Sequence, residues 1–196
     1  MVSRTPALAW LDEKLNLCAS LLPQVALLLE ENYTPSPQAD IALRYAPLPE
    51  STTGSVTLLG GDTLLAVAHP SIPVGDLESV DVRLLATSPQ PPHTFYTYPA
   101  ADELRQNFDA FVLAGWRLSP NARLAPNPIA MLQAIRAGEV AVGYVPQNAA
   151  TGYEVASAPL TDAAGAPLHL DIVALTAQEP EGIVRVFVAC LDGVLP

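Results

Sequence analysis

The chain has 196 residues, half of them apolar and only 15% charged, against roughly 25% charged in an average soluble domain. That much apolar surface offsets the entropy of ordering and excludes disorder, while no apolar run approaches the roughly 18 to 20 residues that a membrane-spanning helix requires. Nine basic against twenty acidic residues leave a net charge of −11, which repels phosphate backbones and anionic lipid heads and argues against a nucleic-acid partner. Twenty prolines predict many fixed turns and few long helices. The opening Met-Val-Ser-Arg-Thr-Pro lacks a charged segment followed by an apolar one. The expectation is therefore either a cytoplasmic protein or one whose secretion signal has been removed.

In chain order, Thr5-Pro6 reads as a helix start, and Leu8, Leu11, Leu15, Cys18 and Leu22 form one buried stripe that Pro23 ends. Gln24 to Leu29 has the continuous apolar pattern of a strand covered on both faces. Asn32 to Gln38 reads as a loop too short for a helix, and Ile41 to Tyr45 as a strand. Val56 to Leu59 and Leu64 to Ala68 read as strands joined by a turn at Gly60-Gly61-Asp62. His69 to Pro73 breaks the pattern, and a weak helix is expected over Leu77 to Leu85.

After a loop over Ser88 to His93, Thr94 to Tyr98 is an expected aromatic strand. A helix over Pro99 to Ala114 would bury Leu104, Phe108, Phe111 and Val112, with Gly115 as its stop. Asn127-Pro128 caps another helix, to Ala137, with Met131, Leu132 and Ile135 inward and Gly138 at its end. Val140 to Val145 is an expected strand, Gln147 to Thr161 irregular, Leu168 to Leu175 a strand and Gly182 to Leu191 a final helix with Val184, Val188 and Leu191 at core spacing. The alternation of strands and helices predicts an α/β class with a largely parallel sheet. It also predicts lobe-one segments flanking a central insertion, with ligands at the carboxyl ends of strands.

Three segments resemble the type 2 periplasmic-binding family, the substrate-binding domains of ABC transporters, and among them phosphate-type solute-binding proteins. Leu65 to Asp76 resembles the hinge stretch "v-h-p-x-n-P", Asn127 to Pro146 the second-lobe helix with its "G-a-I-G-Y-v-p" strand, and Ala39 to Leu43 the "a-D-i-a" strand of the first lobe. The resemblance implies a two-lobed α/β fold, truncated at the first strand, which is missing or reduced to Met1-Val2. Lobe I would comprise residues 1–73 plus 157–196, and lobe II 74–156. It further implies an extracytoplasmic solute-binding protein, often lipid-anchored and monomeric, serving an ABC permease and closing its lobes on a small-molecule or oxyanion ligand. The alternative is a ligand-sensing or degenerate interaction domain of the same fold, without a transport role. Where phosphate binders carry a Ser-Gly-Thr helix start, this chain has Thr97 to Glu103, and Asp102 with Glu103 argues against a bound anion there.

Within that frame, ligand contacts are expected from Arg44 and Tyr45 at the end of the "a-D-i-a" strand, from Thr97 and Tyr98, and from Ser3 and Thr5 before the first helix. Arg44 is a bidentate donor for a carboxylate or oxyanion, against the plainer reading of a surface ion pair. Arg105, one turn beyond Asp102, is expected to pair with it. The residues themselves leave Cys18 and Cys190 open between two buried thiols and a bridge; the resemblance, which implies secretion, favours the bridge. His69, His93 and His169 are scattered, without metal-ligand spacing, and no nucleophile elbow or phosphate loop occurs. No catalytic role, metal or cofactor is expected.

Overall fold

The computed structural model describes residues 1–72, 81–137 and 141–194. Pro73, residues 77–80 of the expected weak helix, Gly138 and Val140 lie outside them. The chain divides into two compact units, Met1–Asp62 with Leu170–Pro196, and Thr63–His169. The division falls at 62/63 and 169/170, whereas the sequence suggested 73/74 and 156/157. It lies inside two strands, so nothing in the local sequence marks it.

In the first unit, strand β1 (Val2–Arg4) pairs in parallel with both β2 (Leu29–Glu31) and β3 (Ile41–Tyr45), and β3 pairs antiparallel with β9 (His169–Thr176). The opening strand thus takes in Ser3 and Arg4, which the sequence placed as a lead-in to the helix. The β2 strand is a short edge strand displaced from the expected Gln24 to Leu29. With β1 as its only strand neighbour among the described residues, it needs no apolar cover on both faces, and Leu28 beside it is 61% exposed. Residues 32–40 carry the chain across β1 without a helix.

Thr5 precedes a 3-10 stretch, Pro6–Leu11, that runs directly into helix α1 (Asp12–Ser20). Leu8, Leu11, Leu15 and Cys18 are fully buried along it, as their spacing predicted. Helix α6 (Gly182–Val194) packs on α1 through a Cys18–Cys190 disulfide, with Cα atoms 5.9 Å apart. It buries Phe187, Val188 and Leu191. Gly54 holds a left-handed φ of +105°, and a Cβ added there would run into the backbone carbonyl of Thr176, so a side chain meets both strain and backbone.

No hairpin turn occurs at Gly60-Gly61-Asp62. Strand β4 (Ser55–Ala68) runs through it for fourteen residues. The glycines are strand-interior residues where another strand passes near, since a Cβ on Gly61 would lie 3.9 Å from the carbonyl oxygen of Leu170.

In the second unit β4 lies between β7 (Ala141–Pro146) and β8 (Ala156–Pro159), both antiparallel to it. β7 pairs in parallel with β5 (Thr94–Thr97), which pairs in parallel with β6 (Arg123–Leu124). The sheets are therefore mixed, not largely parallel. The stretch read as irregular, 147–161, holds helix α5 (Gln147–Ala150) and β8, elements too short to show a period. Helix α2 (Val82–Thr87) is capped by Asp81, whose carboxylate accepts from the Leu84 N–H. Helix α3 (Glu103–Asn107) widens into a π turn, Phe108–Leu113, before left-handed Ala114 and Gly115 end it. The widened turn shifts the helical phase, and Phe111, expected inward, is 40% exposed while Phe108 and Val112 are buried. Helix α4 (Pro128–Arg136) follows the Asn127 cap and buries Met131, Leu132 and Ile135.

Candidate functional site

In the first unit, the parallel register of β1 and β3 sets Ser3 beside Ala42 and Arg4 beside Leu43, so Thr5 and Arg44 follow at the carboxyl ends of the two strands. Arg44 is 1% exposed. Its guanidinium donates from Nη1 to the Leu43 carbonyl at 2.7 Å and from Nη2 to Ser3 Oγ at 3.3 Å. Thr5 is fully buried at the start of the first helical stretch and makes no side-chain cap bond. Among the described residues its hydroxyl has no hydrogen-bond partner. A buried hydroxyl left so costs free energy on the order of 1–3 kcal/mol. A cation and one hydroxyl thus meet, with a second buried hydroxyl and a helix start next in register, at the carboxyl ends of strands where α/β folds carry their ligands.

The neighbouring side chains are engaged otherwise. Arg4 grips Asp12 through two bonds, 2.6 and 2.8 Å, and Glu31 through a third of 2.6 Å. Burial by itself lowers its pKa, but the bonds to Asp12 and Glu31 outweigh burial and raise it. It ties β1, β2 and the first turn of α1 together. Tyr45, on the opposite side of its strand from Arg44, accepts from Trp10 Nε1 at 3.2 Å and donates to Asp62 at 3.3 Å. Lys14 lies 5.5 Å from the centre of the Trp10 ring; burial lowers its pKa, and the nearby Asp62 opposes that.

In the second unit, Thr97 and Tyr98 converge on one residue that sequence reasoning did not single out, Tyr144. The Thr97 hydroxyl bonds the Tyr144 hydroxyl at 2.8 Å, and the Tyr98 hydroxyl donates to the Tyr144 carbonyl at 2.7 Å. All three are fully buried. Tyr144 stacks on Phe108 at 4.3 Å, and burial pushes its pKa well above the ordinary tyrosine range. The only sequence signal for it is its place in the Val-Gly-Tyr-Val strand. Gly143 before it lies against Met131, since a Cβ there would sit 3.2 Å from Met131 Cγ and closer still to its sulfur, so that a larger residue would oblige the methionine to move. Asp102 is buried and caps α3 by accepting from the Leu104 N–H at 2.9 Å. Arg105 pairs with Asp109 at 2.7 Å instead of with Asp102, and also reaches the Tyr98 carbonyl at 3.4 Å. One turn forward along the helix is the shorter reach than back to a carboxylate that faces the cap.

The structure therefore brings Ser3 and Arg44 into contact within the first unit, with Thr5 adjacent in register. It brings Thr97 and Tyr98 together within the second, on Tyr144.

No protein-family model matches the chain, and no curated protein does. Solved structures match over nearly its whole length. The reduced OxyR regulatory domain from Pseudomonas aeruginosa superposes with a TM-score of 0.72 at 16% identity, covering 97% of this chain and 95% of that one. A phosphate ABC transporter substrate-binding protein with bound phosphate from Clostridium perfringens gives 0.74 at 11% identity, covering 97% and 91%. The regulatory domain of MetR, a LysR-family regulator from Neisseria meningitidis, gives 0.67 at 17% identity, covering 98% and 92%. The chain thus has the type 2 periplasmic-binding-protein-like fold, shared by regulator domains and a transporter binding protein alike.

Proposed function

We propose that this chain is an extracytoplasmic solute-binding domain that takes a small anionic solute, a carboxylate or oxyanion, at the carboxyl ends of β1 and β3, for delivery to an ABC permease. The observation that carries the reading is the buried Arg44 guanidinium bonded to Ser3, with the buried Thr5 hydroxyl beside it lacking a partner among the described residues. A planar cation and an unengaged hydroxyl match an anion's oxygens, and binding returns to Thr5 the hydrogen bond that folding removed. The Cys18–Cys190 disulfide supports an oxidising compartment.

The test is a thermal-shift and calorimetric screen against oxyanions, carboxylates, amino acids and sugars. A ligand at about 100 times its dissociation constant adds roughly 2.7 kcal/mol of stability. The expected hit is an anion whose affinity falls about tenfold or more in Thr5→Val and is lost in Arg44→Ala. Silence across the panel with the fold intact, or a hit indifferent to Thr5→Val, overturns the reading.

A second reading, a ligand-sensing domain of a transcription regulator, is favoured by the likeness to the OxyR and MetR regulatory domains. Cell fractionation with thiol labelling separates the two. Reduced, maleimide-reactive Cys18 and Cys190 in a cytoplasmic fraction select the regulator reading.

A further inference from the structure

The second unit holds a cavity of about 610 Å³ that takes no part in the site above. Its floor is the sheet face where Ala66 of β4 lies opposite Ala158 of β8, and two alanines at paired positions leave depth that larger side chains would fill. Val82 of α2, Val112 of the π turn and Leu160 complete apolar walls. The segment after β8 is held over the cavity by a bond from the Ala163 N–H to the Phe111 carbonyl, 2.9 Å.

At the rim stands Arg83, its guanidinium 5.8 Å from the centre of the half-exposed Trp116 ring. Two acids share that rim, each with one carboxylate oxygen on backbone N–H groups. Asp162 accepts from the N–H groups of Ala164 and Ala166 at 2.8 and 2.9 Å. Asp81 caps α2 through one oxygen, and its other lies 3.9 Å from Arg83, beyond hydrogen-bond length. Among the described residues Arg83 has no closer ion pair, and its side chain, which lines the cavity, is 32% exposed.

We propose that this cavity is a second ligand site, for an organic monocarboxylate with an aromatic or branched apolar body, distinct from the Arg44 site. The body enters over Ala66 and Ala158, and the carboxylate takes the Arg83 fork, held in plane by Trp116. The volume falls within the range of about 300–1,000 Å³ typical of small-molecule sites.

Calorimetric titration of the whole chain with phenylbutyrate, and with the uncharged phenylbutyramide, tests this. Saturable binding of the acid is expected, weakened about tenfold or more in Arg83→Gln and for the amide, and abolished in Ala158→Leu. Arg44→Ala and Thr5→Val are expected to leave it unchanged, whereas the first abolishes and the second weakens anion binding at the first-unit site, so the two readings fail separately. If Ala158→Leu does not fold by circular dichroism, Arg83→Gln, a change at a part-exposed side chain, still decides. No saturable binding, equal affinity in Arg83→Gln, or loss in Thr5→Val overturns the proposal.

Discussion

Both units bury polar side chains at the ends of their strands, yet they treat them differently. In the second unit Thr97, Tyr98 and Tyr144 form a closed set in which the Thr97 and Tyr98 hydroxyls are bonded to Tyr144, packed by Phe108. In the first unit Arg44 and Ser3 meet, but Thr5 beside them is buried without a partner among the described residues. Burial therefore does not distinguish a binding group from a structural one; satisfaction does. A bonded hydroxyl specifies the packing around it, and an unbonded one is stored cost that a ligand can relieve.

The largest expected effect separates the units by stability. The bridge spans a sequence separation of 172, confined to the first unit. In the chain-entropy model its loss costs about 5 kcal/mol. Cys18→Ala with Cys190→Ala should lower the melting of the first unit by about 20–40 °C. An unchanged melt would mean that packing of α1 on α6 suffices without the bridge.

Next comes alkaline pH. Tyr144 has its pKa raised above the ordinary 10.0, so above pH 10 the unfolded chain loses a proton that the folded one keeps. Stability then falls as pH rises, by about 1.4 kcal/mol per pH unit for this one group. Below pH 10 the group contributes no slope. Denaturant melts between pH 9 and pH 11, on the order of one unit either side of the tyrosine reference, should show this component vanish in Tyr144→Phe.

Two matched substitutions sharpen the contrast most directly. Thr97→Val leaves the Tyr144 hydroxyl without a bonded neighbour and should destabilise by about 1–2 kcal/mol. Thr5→Val removes a hydroxyl that has no partner and should be neutral or stabilising, by up to about 1 kcal/mol, in the ligand-free protein. Chemical denaturation of the two variants side by side gives opposite signs if the comparison holds. Equal losses would place Thr5 among the structural hydroxyls and remove it from the site.

Much of the local structure was legible. The Leu8, Leu11, Leu15, Cys18 spacing, the helical start at Thr5-Pro6, the Asn127-Pro128 cap and the Ile41 to Tyr45 strand all occur as read, because each depends on neighbours within one or two turns, although the Thr5 hydroxyl makes no cap bond. The misreadings share a cause in distant partners. Gly60-Gly61-Asp62 resembles a turn until another strand is laid near it, and Gln24 to Leu29 resembles a covered strand until the sheet ends at β2. Phe111 was put on the wrong side because a π turn changes the period without changing the composition.

For the site, the sequence by itself determined which chemistry was on hand. Arg44 at the end of an apolar strand and Ser3 and Thr5 before a helix are statements about residue type and order. What only the tertiary structure decided is which of those groups answer one another. Parallel pairing of β1 with β3 sets Ser3 against Arg44, and packing of β5 against β7 closes Thr97 and Tyr98 onto Tyr144, which no local pattern marked. Hydrogen-bond satisfaction is a property of partners far apart in the chain, and strand pairing is what brings them together.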